Sequence, residues 1–419
     1  MNSNLIKIVC CIIFLGNSFL TFSQDKIKFG YHDASGKVID LQQITKKKVS
    51  DSVIVDLDTI ISSIDSTFVV NFDTINEISS DSIFSEFNDT LSISVLLPFY
   101  LEKNIDFQKE YSRSSKYSLS FLEGIIFAID SLSLLGIPIK LNVFDTENNP
   151  DVVSDIAKKD VVKESNILFG PLYPNNFRLI SNFYRSDTNK IIINPLSKTY
   201  GLLRKNKNVY FLTPSLNYQA DLISQFLKGL DNSTSTFFVK YLPESKKMPN
   251  YINKHNLDTI FKRFIVKEFN VLSKINKSSF SFLDVDNNFL LLWSEEESFI
   301  NRFISFLGTV KYPVSLFTFR FLEEFDRIDI ETLMKLNLHV PVSNYFDNYS
   351  KENKNLQNKF ENFYYHKMDE NSRLSFFSIL HFCTNHKQYD FVQLYEGGGF
   401  INTDVKICVY KDYKLLPIE

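Results

Sequence analysis

Short apolar segments alternate with amphipathic segments between residues 92 and 212, and this alternation constrains the fold more than any other feature. The apolar run at residues 93–97 ends at Pro98, and the next predicted strand, at residues 139–144, ends at Asp145. Apolar runs that lack a polar face are typical of parallel strands buried on both sides. Strands that alternate with helices at this spacing predict an α/β fold with a parallel, doubly wound sheet.

Helix start and stop signals separate the predicted strands. Ser114 or Ser115 is placed to cap a long helix, in which leucine and isoleucine recur at helical spacing until Gly136 ends it. Residues 151–164 are predicted to form the next helix, because an asparagine cap and a first-turn proline precede them.

The stretch at residues 166–176, NILFGPLYPNN, carries the strongest indication of a ligand. It runs from an apolar strand into Gly170-Pro171, and Asn175 and Asn176 then open an amphipathic run. A helix N-terminus at the end of a strand presents free N–H groups and a positive dipole end, which suit a ligand carboxylate. The alternative is a tight strand-to-helix turn without a ligand.

The chain after residue 212 repeats this α/β pattern, so the sequence predicts two doubly wound parallel-sheet lobes with a cleft between them. Lobe 1 is predicted to comprise residues 92–212 with a return segment at about 345–389. Lobe 2 is predicted to comprise residues 213–344 with terminal strands at about 390–419. Ligands in such sheets bind at the carboxyl ends of strands, where Asp145, the Gly170 turn and Ser197 fall.

The N-terminus has the pattern of a secretory signal peptide. Lys7 precedes an apolar run at residues 8–15, and small residues at Thr21 and Ser23 predict cleavage after Ser23. An uncleaved anchor is the alternative, although the apolar run is short and interrupted. We therefore expect a protein of the periplasm or cell envelope, with no membrane span after cleavage.

Residues 24–91 are predicted to form an acidic, largely extended leader. Between residues 51 and 90 there are nine Asp or Glu and no Lys or Arg, and short apolar patches never build a sustained face. A small strand-rich module is the alternative.

Several kinds of chemistry are not supported by the sequence. A net charge of −3 without a basic stripe gives no indication of nucleic-acid binding. His381, Cys383 and His386 are possible metal ligands, but helical geometry would put the two histidines on different faces and no second cluster completes a tetrahedral site, so we predict no metal site. We find no catalytic motif and predict neither a cofactor nor enzymatic activity. Cys383 and Cys408 could form a disulfide or remain as buried thiols.

Six blocks of the sequence resemble the type 1 periplasmic-binding-protein family, and more closely its leucine/isoleucine/valine-receptor-like branch. They occur in the family's order over residues 92–230: SISVLLPFY, SLSFLEGIIFAIDSL, LNVFDTENNP, ILFGPLYPNNF, IIINPLS and VYFLTPSLNYQADLISQFL. The resemblance implies two lobes that close on a small ligand, as in substrate-binding proteins of ABC transporters. Relatives with the GPLY-type segment often carry LysM repeats, which we do not recognise here.

The resemblance also implies candidate ligand contacts. The helix start after Gly-Pro, where relatives bind an α-carboxylate, holds Pro174 and Asn175 here, next to Asn176. The second site of the family corresponds to the segment with Ser197 and Thr199. Asp145 and Thr213 complete the candidate ligand-binding set.

Two departures from the family pattern bear on the ligand. The crossing strand has Leu212 where the family usually has arginine, and a late helix has Phe377-Ser378 where it usually has tyrosine and aspartate. Losing an acidic partner for an α-ammonium should weaken amino-acid binding by several kcal/mol.

Two functions fit these observations. The first is an extracytoplasmic solute-binding protein that clamps a small polar, amino-acid-like ligand and works with a membrane permease. The second is a ligand-free module that acts as an interaction or scaffold component of a cell-envelope protein complex.

Overall fold

The computed structural model describes residues 27–32, 90–101, 112–229, 235–241, 265–269, 275–294, 296–318, 328–384 and 388–418. The described residues form two compact units. The first unit contains the chain up to Leu212 together with Lys351–Asn402, and the second contains Thr213–Ser350 and Thr403–Glu419. The predicted signal peptide and most of the predicted leader lie outside the described residues.

The first unit is built on a sheet of order β1-β3-β2-β4-β5-β6-β13-β12, with strands numbered along the chain. All neighbours in it are parallel except the last pair, which is an antiparallel hairpin. Its strands are β1 (Ile27–His32), β2 (Leu91–Leu97), β3 (Ile139–Asp145), β4 (Ile167–Phe169), β5 (Ile191–Asn194), β6 (Val209–Phe211), β12 (Phe391–Gln393) and β13 (Phe400–Asn402).

Helices cover both faces of this sheet, as a doubly wound fold requires. Apolar residues of one face pack with α1, α8 and α9, and those of the other face pack with α2, α3 and α4. These helices are α1 (Arg113–Leu134), α2 (Pro150–Ala157), α3 (Asp160–Lys163), α4 (Pro174–Phe183), α8 (Lys351–Tyr364) and α9 (Glu370–Cys383). The segment predicted as one helix over residues 151–164 is two, because Lys159 is extended between α2 and α3.

Helix α1 is the central core helix of the first unit. Ser112 caps it by accepting a hydrogen bond from Ser115 N, so the cap lies two or three residues before the predicted one. By length and composition α1 could cross a membrane, but more than half of that apolar window is buried inside the unit. Gly124 lets α1 approach α9 closely, since a Cβ there would lie 2.1 Å from Ser372 O and 2.2 Å from Ser375 Oγ.

Strand β1 lies within the segment that was predicted to form the leader. It runs parallel to β3, with Ile27 opposite Ile139 and His32 opposite Phe144, and so forms the outer edge of the first sheet. Residues 27–32 of the predicted leader are therefore extended, as expected, but they pair with the first sheet, which the sequence did not predict. The reason is that β3 offers a second row of backbone hydrogen-bonding groups, which an extended segment of any sequence can pair with.

The second unit has a mixed sheet of order β15-β14-β11-β10-β9-β7-β8. Its strands are β7 (Ser235–Tyr241), β8 (Ile265–Phe269), β9 (Asn288–Trp293), β10 (Val314–Thr318), β11 (His339–Ser343), β14 (Val405–Lys411) and β15 (Lys414–Pro417). Its helices are α5 (Leu216–Lys228), α6 (Glu297–Leu307) and α7 (Ile330–Lys335). Strands β14 and β15 are antiparallel additions to an otherwise parallel sheet. The predicted α/β class with two sheets is confirmed.

Two parts of the chain differ from the predicted domain division. Strands β12 and β13 lie in the first sheet rather than with the terminal strands of the second unit, because Phe400 pairs with Tyr210 in parallel and their rings stack at 4.9 Å. The segment returning to the first unit begins at Lys351. The two thiols that could have formed a disulfide, Cys383 and Cys408, are both free and buried.

The buried carboxylate of Glu123, on α1, forms an ion pair with His366 in the turn between α8 and α9. His366 Nε2 lies 3.3 Å from Glu123 Oε2, and His366 Nδ1 lies 3.0 Å from Lys367 O. Both ring nitrogens face oxygen acceptors, so the ring fits best as an imidazolium. The hydrogen bond to Glu123 is the main cause that raises the pKa of His366 from 6.5 to about 9, with Lys367 O and Asp369 adding to it and burial opposing it.

We expect this ion pair to make stability depend on pH. Because the folded pKa of His366 lies above its ordinary value, the stabilisation is complete below pH 6.5 and is lost as the pH rises towards about 9. The ring is 47% exposed, so solvent screening limits the loss to about 1 kcal/mol. Urea unfolding at about pH 6 and about pH 9.5 measures it. The variant His366→Gln should lack this component, and equal pH dependence in the two proteins would contradict the assignment.

Candidate functional site

The loops after β2, β3 and β4 meet at the carboxyl edge of the first sheet. Each contains a residue in the left-handed region: Tyr100 at φ 55°, Asn148 at φ 52° and Gly170 at φ 94°. Positive φ is unusual for a bulky residue such as tyrosine, and such conformations gather at functional sites. This edge is where the sequence predicted a ligand.

Gly170 allows the turn that leads into α4. Its φ suits glycine, and a Cβ there would lie 2.2 Å from Leu96 O. Gly170 N donates to Ile193 O, and Asn194 Nδ2 donates to Pro171 O at 2.8 Å. These bonds tie the turn to β5 and so fix where α4 begins.

Asp145, a predicted ligand contact, accepts hydrogen bonds from the backbone of two loops. It is 3% exposed. Its Oδ1 accepts from Phe99 N and Glu147 N, both at 2.9 Å, and its Oδ2 accepts from Leu101 N at 2.8 Å. The carboxylate therefore holds the two residues that flank Tyr100 and fixes the direction of that side chain.

Five polar side chains at this edge are joined by hydrogen bonds, and we call them the rim cluster: Tyr100, Ser114, Asn148, Tyr173 and Asn176. Ser114 Oγ lies 2.7 Å from Tyr173 OH, and Asn176 Nδ2 donates to Asn148 Oδ1 at 3.0 Å. Tyr100 hydrogen-bonds to both Asn148 and Ser114, while burial and its neighbours Tyr173 and Asp145 raise its pKa. The phenol therefore stays protonated near neutral pH and can donate as well as accept.

The N-terminus of α4 adjoins the rim cluster. Tyr173 is its N-cap and makes no side-chain cap hydrogen bond, Pro174 occupies the first turn, and that turn contains no acidic residue. Asn175 is exposed there, whereas Asn176 is buried and bound to Asn148. Within the described part of the chain, the first turn of this helix thus contains neither an acidic side chain nor a side-chain cap for its positive dipole end.

Ser197 and Thr199 lie in the turn after β5. Asn194 Oδ1 accepts from Ser197 N at 2.7 Å, and Ser197 Oγ accepts from Thr199 N at 3.1 Å. Ser197 is 5% exposed and Thr199 is exposed. The hydroxyl of Ser197 supports the turn, and Asn194 connects that turn to Pro171.

The remaining sequence candidates lie elsewhere. Thr213 is half-exposed and begins the second unit. Ser378, at the position where an acid was expected from the resemblance, is fully buried and donates to Ser375 O at 2.8 Å. Among the described residues, no group of three or more His, Cys, Asp or Glu could hold a metal ion, and His386 lies outside them.

Sequence reasoning missed four members of the rim cluster: Tyr100, Ser114, Asn148 and Tyr173. Three of them follow the ends of buried strands within a few residues, which is the signal that could have found them. Ser114 was noted only as a helix cap, a role that the structure gives to Ser112.

Comparison with solved structures identifies the fold. A protein from Rhodospirillum rubrum, named as a branched-chain amino acid ABC transporter, has a TM-score of 0.56 at 8% identity, with 79% of this chain and 100% of that chain covered. The isoleucine complex of the Streptococcus pneumoniae substrate-binding protein LivJ has a TM-score of 0.47 at 12% identity, with 78% and 98% covered.

Haemophilus influenzae LpoA has a TM-score of 0.49 at 12% identity, with 79% of this chain and 59% of that chain covered. No protein-family model and no curated protein sequence matches the chain.

At identities of 8–12%, the similarity to these solved structures concerns the fold alone. The chain has the two-lobe α/β fold of the type 1 periplasmic-binding proteins.

Proposed function

We propose that this chain is an extracytoplasmic solute-binding protein whose small polar ligand binds at the rim cluster. The observation that carries the proposal is the hydrogen-bonded set of phenol, hydroxyl and amide groups beside the uncapped N-terminus of α4. A few convergent polar groups next to aromatic surface are typical of small-molecule sites.

The N-terminus of α4 suits a ligand carboxylate. Pro174 has no N–H, so the N–H groups of Asn175 and Asn176 and the exposed amide of Asn175 are the available donors. Ser197 and Thr199 offer further hydroxyls to the ligand in this proposal, and Asp145 supports the site rather than contacting the ligand.

The fold supports this function by analogy. The Rhodospirillum rubrum protein of the same fold carries the name of a branched-chain amino acid transporter, so an amino-acid-like ligand is the first class to test. A signal peptide and a membrane permease as partner complete the proposed role.

The second candidate is an interaction module of a cell-envelope complex, and the surface of α4 favours it. Leu179 and Phe183 are one turn apart on that helix, and they are 38% and 49% exposed. In addition, the side chains of Asp145 and Ser197 are engaged in supporting loops. An exposed apolar pair is a feature of protein contacts, although single apolar residues are common on surfaces.

A thermal-shift screen with the free amino acids at millimolar concentration separates the two functions. Saturation a hundredfold above the dissociation constant stabilises a protein by about 2.7 kcal/mol, which a melting curve detects. For a ligand that binds, Asn175→Ala should weaken binding by about 1–3 kcal/mol, because a charge-assisted hydrogen bond is lost.

Asn189→Ala is the matched control, since Asn189 is exposed in the loop that precedes β5, at the opposite edge of the sheet. A screen that is flat across amino acids, short peptides and other small polar solutes would contradict solute binding and favour the interaction module.

A further inference from the structure

We infer that the ligand is a polyhydroxylated acid, such as a sugar ring that carries a carboxylate, rather than an α-amino acid. This inference rests on the proposed function and names the ligand class of the same site.

The hydrogen-bonding chemistry of the rim cluster is the first argument. The phenols of Tyr100 and Tyr173 and the hydroxyl of Ser114 can each donate and accept, and the amide of Asn148 does both through separate atoms. Vicinal hydroxyl groups of a sugar also donate and accept, so each can match any member of the cluster. An ammonium can only donate hydrogen bonds, and a carboxylate can only accept them. Each would therefore use either the acceptors or the donors of the cluster, but not both.

The state of Asp145 is the second argument. An ammonium removed from water requires a negative partner to offset its desolvation. The carboxylate of Asp145 lies beneath Tyr100, but it is 3% exposed and already accepts three backbone hydrogen bonds. Its oxygens are therefore engaged by the backbone of the loops, so this carboxylate is not the partner that a ligand ammonium would require.

The aromatic rings are the third argument. Tyr173 is 39% exposed and Tyr100 is half-exposed, while their hydroxyls are held by hydrogen bonds to Ser114 and Asn148. A ring fixed by its hydroxyl presents a flat apolar face beside polar groups. The C–H face of a sugar ring is complementary to such a surface, and the ring hydroxyls at its edge can reach the cluster.

The carboxylate of the ligand completes the fit. The N-terminus of α4 follows Tyr173 directly, so an acid group attached to the ring lies within reach of the N–H groups of Asn175 and Asn176. A sugar without an acid group would leave that helix end unused.

Calorimetric titration of the full-length protein tests the ligand class. The sugar-acid probes are D-glucuronate, D-galacturonate and D-gluconate. D-Glucose is the control sugar that lacks a carboxylate, and L-leucine and L-glutamate are the amino-acid probes. We expect at least one sugar acid to bind about tenfold or more tightly than D-glucose and than either amino acid.

Variants locate the binding. Tyr100→Phe and Ser114→Ala should each weaken sugar-acid binding by about tenfold, because each removes one hydrogen-bonding group. Tyr365→Phe is the matched control, since Tyr365 is 72% exposed and lies outside the rim cluster, and it should leave binding unchanged. Melting curves without ligand verify that each variant is folded. If one of the two variants does not fold, the other still tests the inference.

The possible failures are distinguishable. Binding of an amino acid as tight as that of every sugar acid would overturn this inference and leave the proposed solute-binding function standing. Sugar-acid binding that is insensitive to both Tyr100→Phe and Ser114→Ala would also overturn it. Binding of none of the probes would overturn the inference, and a flat screen with other small solutes would overturn the proposed function as well.

Discussion

Replacing Gly124 with alanine should lower the free energy of unfolding of the first unit by about 3 kcal/mol, or about 6–12 °C in melting temperature. The new Cβ would lie 2.1 Å from Ser372 O, a backbone atom of α9 that cannot move without displacing the helix. Ser372 and Ser375 are fully buried between the helices, so they have no open space to enter. Thermal unfolding followed by near-ultraviolet circular dichroism measures the loss.

Gly201→Ala is the matched control for Gly124. It lies in the same unit, and a Cβ there would meet nothing within 4 Å. We expect this change to leave the melting temperature within about 2 °C of the original, since no overpacking arises. Equal effects of the two substitutions would show that α1 and α9 do not pack as closely as described.

Replacing Asp145 with asparagine should cost about 3 kcal/mol and also abolish ligand binding. Asparagine keeps the shape, but its NH₂ group would face at least one of the backbone N–H groups of Phe99, Leu101 and Glu147. A buried donor would then lack an acceptor, and the strained backbone at Tyr100 would lose the bond on one side of it. Denaturant unfolding measures the stability, and titration with the best ligand measures the binding.

Asp155→Asn is the control for Asp145. Its carboxylate forms an exposed pair with Lys158 at 3.0 Å, which contributes about 1 kcal/mol or less. If Asp145→Asn were no more destabilising than Asp155→Asn, the carboxylate would not be the support of the Tyr100 loop. If Asp145→Asn were destabilising but the variant bound ligand normally, ligand binding by Tyr100 would not depend on the support from Asp145.

The sequence determined the elements with strong local patterns. Five of the seven residues of β2 and four of the seven residues of β3 are apolar, and both strands are buried along nearly their whole length. Buried strands of this kind require helices on both faces. Asn149 and Pro150 begin α2 as predicted, because a cap and a first-turn proline act within a few residues. The prediction that a ligand binds at the carboxyl edge was also made from the order of strands and helices.

The tertiary structure decided which distant segments pair. Strands β12 and β13 have three residues each, too few for a periodic pattern, and they join the first sheet because Phe391 and Phe400 pack their rings against Tyr210. Strand β1 pairs with β3 through backbone groups, which leave no mark on the side-chain sequence.

The tertiary structure also decided the roles at the candidate site. Asp145 reads in the sequence as an acid at a strand end, and only the folded chain shows that its oxygens are used by three backbone N–H groups. Tyr100, Ser114 and Tyr173 are up to 73 positions apart along the chain, and two loops and a helix end bring them together. Local patterns determine helices and strands because their interactions act within a few residues. The partners of a polar side chain depend on packing between remote segments, which no local pattern records.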